Sequence, residues 1–471
     1  MSNTLEPPAN AGDAAVARAT PPSAWRELWV KEDWWAIWIG LGLVAVAVLL
    51  ATHGSSLKWL AVAPTKWSHP SEAIAQFAAH VPQYLALYGV WIVLFGIGAT
   101  ALGFGVGGFL ASFTLVYVVS IVLYFIGQWD QAAHYNLEPP LFALILGLLV
   151  SNTLGVPKWA NGGLRVEFYI KTGIVLLGAG VPLALLAWAG PVAIVQAAIV
   201  SIVTFGVIYL TAVRLGLEKR LAATLGTGGA VCGVSGAIAT AGAVGARRED
   251  ASIAISLVIF WAIVTVFLLP LASRALGLPT GVAGAWIGTS EFADAAGLAA
   301  AQTYGGYAGH VPGIAGNADA AVNAFTLMKV IGRDVWIGVW AFVLSIVATT
   351  RWTATGVQAK PDAGEIWRRF PKFVLGFLVA SMIVSLLAGG ADYAVYKKTI
   401  QPSVVAPLQA LRTWAFIFAF LSIGLTTRIR DFFKVGGAPF YAFTAGVVVN
   451  LALGYVLSTQ VFVGFWTALG Q

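Results

Sequence analysis

From Val81 to Trp129 the chain carries no charged residue. A helix crosses the hydrocarbon core of a bilayer in about 20 residues. This stretch is too long for one crossing and is expected to split near Gly103–Gly108 into two. Further runs that are wholly or largely apolar follow the same rhythm: Trp34–Ala51 before it, then Pro139–Leu154, Phe168–Ala187, Pro191–Val213, Leu221–Ala246, Ala251–Leu269, Gly281–Gly306, Ala321–Ala348, Phe373–Leu387, Leu408–Leu425 and Phe440–Val461. The reading is an all-α polytopic membrane bundle of about 13 spans. It falls to about 11 if the two Gly-rich runs, Leu221–Ala246 and Gly281–Gly306, are re-entrant.

Composition agrees. The 471 residues are 59% hydrophobic and 10% charged, against roughly 25% charged in soluble domains. The pI of 9.4 does not point to nucleic acid, because Lys and Arg sit between the apolar runs, as topology signals do. Residues 1–33 read as a cytoplasmic tail, disordered to about Pro22, and 34–471 as the transmembrane domain. The tail lacks the basic-then-apolar pattern of a cleaved signal peptide, so the first span is expected to stay. Cys232 is the one cysteine, which excludes an intrachain disulfide. His53, His69 and His80 are too far apart for a helical metal-ligand pair and read as part of an aqueous loop.

Alternation through 13 spans with the N-terminus inside puts about 17 Lys and Arg in the inside segments and about seven outside. That favours N-in and C-out, with the N-terminus cytoplasmic. The chain has no Walker A sequence. Energy must therefore come from a second solute or another subunit, and no cofactor or metal is implied.

Three segments carry ionisable or Gly-rich signals. In Gly226–Thr240, five glycines fall between Gly226 and Gly236, at a cost of ~1 kcal/mol each in a continuous helix. A broken helix here would present backbone N–H groups to an anion, with Thr227, Gly228, Gly229, Cys232, Gly233 and Ser235 around it. The alternative is close helix packing through Gly229-x-x-x-Gly233. The second segment, Gly288-Thr-Ser290-Glu291-Phe-Ala-Asp294, sets Glu291 and Asp294 at i, i+3. A helix would place both on one face as ion-coupling carboxylates, with Ser290 as a substrate contact. The third sets Thr326, Lys329 and Arg333 on one stripe, where the two cations could hold an anion, pair with the acids, or snorkel. Lys171 reads as an interfacial anchor. Gly233-Val-Ser235-Gly236 also matches the serine motif of rhomboid intramembrane proteases, but His310 is the one histidine after it and falls in a loop.

The segment Cys232-Gly-Val-Ser235-Gly-Ala-Ile238, together with Gly173–Gly178, Gly288–Ala301, Lys329–Arg333, Phe373–Phe377 and Ile423–Thr426, resembles the sulfate exporter family of bacterial membrane proteins over about Leu137–Val461. Ala293 stands where that family usually has His or Asn, and Gln302–Gly316 looks inserted. The resemblance implies a bundle with discontinuous helices, similar to bile-acid symporters and sodium–proton antiporters. The resulting expectation is a secondary transporter, not an enzyme. Its substrate would be a small anion (sulfate, sulfite, or a small sulfonate or carboxylate), coupled to H⁺ or Na⁺. The alternatives are a cation–proton antiporter and, from another class, an intramembrane serine protease. Homo-oligomerisation is left open.

Overall fold

The computed structural model describes residues 24–134, 139–352, 364, 367, 370–389, 396–432 and 435–470. The proposed disorder up to Pro22 lies outside them, whereas a helix already runs over Ala24–Val30. Fifteen helices organise the molecule: α1 Glu32–Thr52, α2 Val81–Ala101, α3 Val106–Gly127, α4 Pro139–Thr153, α5 Val166–Gly178, α6 Leu183–Arg214, α7 Lys219–Ala230, α8 Gly233–Val244, α9 Arg248–Ala275, α10 Thr280–Ser290, α11 Asp294–Gly305, α12 Ala318–Arg351, α13 Phe373–Ala388, α14 Ala406–Thr426 and α15 Gly437–Val456. The uncharged run does break in two, at a turn where Gly103 takes φ +84°. The His53–Pro82 stretch is not only loop, since Pro70–Ala79 is helical.

Eight helical segments are long and apolar enough to cross a bilayer, and this is a multi-pass helical membrane protein. The shorter α4, α5 and α13 complete the crossings around α14. The end of α4 meets the end of α14, where Ser151 Oγ donates to Gly424 O and Thr427 O, both at 2.9 Å. On this side an aromatic cluster fills the core: Trp91, Phe95, Phe113, Tyr169, Trp414 and Phe418 are all buried, in stacked and edge-on pairs.

The two Gly-rich runs are hairpins. In α7–α8 the chain turns back at Val231–Cys232, and its two feet join: Arg220 Nη1 donates to Gly245 O at 2.8 Å. Thr227 Oγ1 ties the arms together by donating to Gly236 O at 3.3 Å. In α10–α11 the turn is Glu291–Phe292–Ala293, with extended backbone at Glu291 and Ala293. Its feet join where Tyr304 Oη donates to Leu278 O at 2.5 Å. α9 crosses the bilayer between the two hairpins, so they enter from opposite faces. The strict 13-span alternation is therefore corrected to eleven crossings and two re-entrant hairpins among the described residues. Each hairpin buries its backbone inside protein, as an irregular segment at membrane depth requires.

The correction changes which loops share a face. Arg247 and Arg248 join Arg214, Lys219 and Arg220 on the first face, the one from which α1 departs, and Arg274 moves to the second. The basic imbalance between faces grows from 17 against seven to 18 against six, strengthening the bias that topology follows. In a Cys232→Ser background, Leu215→Cys and Glu249→Cys should react with a membrane-impermeant maleimide from one face and Leu276→Cys from the other. Labelling of Leu215→Cys and Glu249→Cys from opposite faces would restore the 13-span arrangement.

Candidate functional site

The hairpin tips meet each other beside α12, midway along the bundle. At Gly233 a side-chain carbon would sit 2.5 Å from the carbonyl oxygen of Phe292 on the other tip; only glycine permits this approach. On the second hairpin, Gly284 lies so close to the α12 backbone at Ala321 that a Cβ would overlap its carbonyl.

α12 brings the cations, but not on a regular stripe. Its Leu327–Arg333 turn is π-helical, a widening often found at functional sites. Lys329 and Arg333 are fully buried. Arg333 Nη1 donates to Thr289 O at 2.6 Å and Glu291 O at 3.0 Å, and its Nη2 to Gly229 O at 3.1 Å. Lys329 Nζ donates to Glu291 O at 3.0 Å and Phe292 O at 3.2 Å, and lies 3.6 Å from Asp294 Oδ1. These carbonyls end the first arm of each hairpin, where helix dipoles concentrate negative charge. Arg333 thus ties the two tips together and Lys329 braces the tip of the second hairpin, where the sequence suggested an anion site for both.

Glu291 and Asp294 do not share a helix face, because the chain breaks between them. Glu291 accepts from Thr265 Oγ1 at 2.5 Å and from the N–H groups of Phe292 and Ala293 at 3.0 and 3.2 Å. It caps its own turn. Asp294 opens α11 and faces a cavity of about 210 Å³ lined also by Glu167, Cys232, Val234, Ser235, Ala295 and Ala296. Apolar residues complete the wall, among them Ile170, Ile255, Ile259, Phe292 and Phe420.

Two helix N-termini reach this cavity. Neither α8 nor α11 has a side-chain hydrogen bond at its N-cap. The first intrahelical bonds begin only at Gly236 N and Gly297 N, so the N–H groups before them have no partner within their own helices. A second cavity of about 400 Å³ shares Glu167, Val234 and Ser235 with the first and extends to Lys31, Glu32, Asp33 and Lys372 on the first face. The site is reached from that side.

Of the residues singled out from sequence, Cys232, Ser235 and Asp294 line the cavity. Thr227 bonds backbone carbonyls within its hairpin. Gly228 packs against Val258, Gly229 against Ile208, and Ser290 is buried beside Gly454. Lys171, read as an interfacial anchor, pairs its ammonium with Asp33 at 2.8 Å, Glu167 at 3.6 Å and Glu32 at 3.8 Å. Glu167, four residues before Lys171, is a cavity residue that the sequence reading missed, although the i, i+4 spacing signals the pair. His310 bonds Ala308 O in the loop after the second hairpin, towards the second face.

The family model described as conserved hypothetical protein 698 matches residues 111–442. The chain is 30% identical to a UPF0324 membrane protein of Rhodopirellula baltica, covering 96% of this chain and 94% of that one. A relative in Nitratidesulfovibrio vulgaris is 33% identical over 82% of this chain and 65% of its own length. One in Nitrosomonas europaea is 28% identical over 90% and 94%. No solved structure matches.

Arg333→Leu leaves the buried carbonyls of Thr289 and Gly229 without a side-chain donor, each worth about 1–3 kcal/mol, and leaves Glu291 O with Lys329 alone; it should sharply lower the melting temperature in detergent. Arg333→Lys should recover only part, since one ammonium lacks the fork that reaches both hairpins. A folded Arg333→Leu protein of unchanged stability would return the guanidinium to a ligand role. Gly233→Ala, opposed by backbone, should cost about 1–3 kcal/mol. At Gly228→Ala the nearest atom is a Val258 methyl at 3.2 Å, and the change should be nearly neutral by the same melt.

Proposed function

We propose that this chain, which belongs to the conserved hypothetical protein 698 family, is a secondary transporter of a small anion in a bacterial inner membrane. The observation that carries this reading is the convergence of two uncapped helix N-termini on one cavity inside the bundle. Buried N–H groups without partners are costly, and an anion satisfies them with the favourable sign of the dipole. Hairpins entering from opposite faces are the usual means of forming such a site while keeping it closed on one side.

The wall composition narrows the anion. Sulfate and sulfite are polar all round, whereas most of this cavity is Ile, Ala, Val and Phe. A small sulfonate or carboxylate fits better, its charged end at the helix N-termini and its carbon end against Ile255 and Ile259. Asp294 faces the same space, so an anion binds there most readily when that carboxyl carries a proton or a cation such as Na⁺ lies beside it. This is the physical basis of coupling. The first face, with the larger share of basic residues, is then the cytoplasmic one.

One observation favours the competing reading, a cation–proton antiporter: the 3.6 Å pairing of Lys329 with Asp294 supplies an internal counter-charge that an incoming cation would displace. Thermal shift of purified protein against sulfate, sulfite, small sulfonates and carboxylates, in Na⁺ and in K⁺, separates the two. A true ligand at 100 times its Kd should add about 2.7 kcal/mol of stability. If H⁺ is the coupling ion, it should be taken up with the anion by the wild type and not by Asp294→Asn. If no anion stabilises the protein while alkali cations release protons from it, the antiporter reading replaces this one.

A further inference from the structure

Asp334 is an acid at the hairpin tips that neither the sequence reading nor the transport proposal uses. It follows Arg333 on α12 and is fully buried, yet neither carboxyl oxygen has a hydrogen-bond partner. One of its oxygens, one from Asp294 and the Cys232 sulfur all lie within 4.8 Å of one another. The thiol has a single proton and directs it to Asp294 Oδ1 at 3.3 Å, leaving nothing to give Asp334.

The charges around this point do not balance. Lys329 and Arg333 on α12 supply two positive charges. Glu291 and Asp294 from the second hairpin and Asp334 on α12 would supply three negative ones, with Cys232 as the neutral contribution of the first hairpin. Glu167 of α5 faces the group from across the cavity and has Lys171 as its own partner. Glu291 has three donors and Asp294 has Lys329 and the thiol, so the surplus negative charge falls on Asp334, which has none. A full negative charge without donors is not sustained in such surroundings.

We propose that Asp334 holds a proton and donates it to the Cys232 sulfur, while Cys232 donates to Asp294, making a relay from beneath the hairpin tips to the cavity wall. Transfer along it is balanced. Asp294 takes the thiol proton as the thiol takes the Asp334 proton, so the carboxylate moves from Asp294 to Asp334 and no net thiolate forms. Asp294, on the cavity, exchanges with water from the first face; Asp334, behind the tips, stores. The use made of this relay rests on the transport reading above, but its existence is tested without any substrate.

Infrared difference spectroscopy of ligand-free, purified protein in H₂O and D₂O reads the carbonyl band of a protonated carboxyl. The wild type should show such a band, sensitive to deuterium, and near-isosteric Asp334→Asn should lose it. Cys232→Ala should keep it at higher frequency, because the O–H has lost its acceptor. This second variant gives an answer even if Asp334→Asn folds poorly. Persistence of the band in folded Asp334→Asn, or no shift in Cys232→Ala, overturns the proposal. So does a wild type without the band, whether or not added Cd²⁺ produces a thiolate charge-transfer absorption; with that absorption, the three groups are a metal site. If no anion ever binds but the band behaves as stated, the transport reading fails and the proton site stands.

Discussion

The contact on which this architecture depends is the Arg333 guanidinium between two hairpin tips. A hairpin that ends halfway through a bilayer leaves carbonyls at the end of its first arm with no turn to follow, and lipid offers no donor. One fork-shaped side chain satisfies Thr289 O and Glu291 O on one tip and Gly229 O on the other. The same bonds neutralise the cation, whose burial near mid-membrane costs at least ~2.5–3.5 kcal/mol by insertion scales. Neither the tips nor the guanidinium would be tolerated there alone. Lys329, one turn earlier, bonds the second tip alone, and the π-helical widening of α12 lets both cations reach Glu291 O.

The asymmetry between helix ends follows from this. Arg333 goes to the C-terminal ends of the two first arms, and Lys329 to the turn that follows one of them. The N-terminal ends of the second arms, at Gly233 and Asp294, face the cavity without a side-chain cap. A continuous helix would have hidden both kinds of end. The glycines between Gly226 and Gly236 make the interruption affordable, and Gly233 lets the tips close to van der Waals contact.

How far the sequence foretold this differs by feature. The long spans were legible because a 20-residue apolar run has few other fates. The break in Gly226–Gly236 was legible from glycine density, and the count of eleven stood as the alternative if both Gly-rich runs were re-entrant. Whether a broken helix continues or turns back is not a local property. It is decided by contacts such as Arg220 with Gly245 and Tyr304 with Leu278, across 25 and 26 residues. The same limit explains the misplaced roles. Glu291 and Asp294 look like a helical i, i+3 pair until the chain is seen to break between them. Lys329 and Arg333 look like a bare anion site until the carbonyls of two distant segments come to meet them. Asp334 gave no signal of its own in the sequence, because its distinction, a buried carboxyl with no hydrogen-bond partner beside Cys232 and Asp294, arises only when the hairpin tips meet α12.

The cavity connects towards the first face, and packing indicates what must move to open a way to the other. From the first face the path runs past Lys372 and Glu167 to Ser235 and the cavity. On the second face α10 and α11 close the way. Gly284 and Gly288 press α10 onto the α12 backbone, and Gly281 does the same against the carbonyl of Trp466. Contacts of that kind admit no gradual parting, because a small separation forfeits the close approach without admitting water or lipid. On the transport proposal, the second hairpin and α12 would therefore move as one body. The surface along which that body separates from α5 and α14 is the cavity itself, whose walls already stand apart. On the transport proposal, an anion that bridges the N-termini of α8 and α11 would hold the two tips together through such a movement. A carboxylate left negative at Asp294 would oppose it, so that proposal makes occupancy by both substrate and coupling ion the condition for crossing.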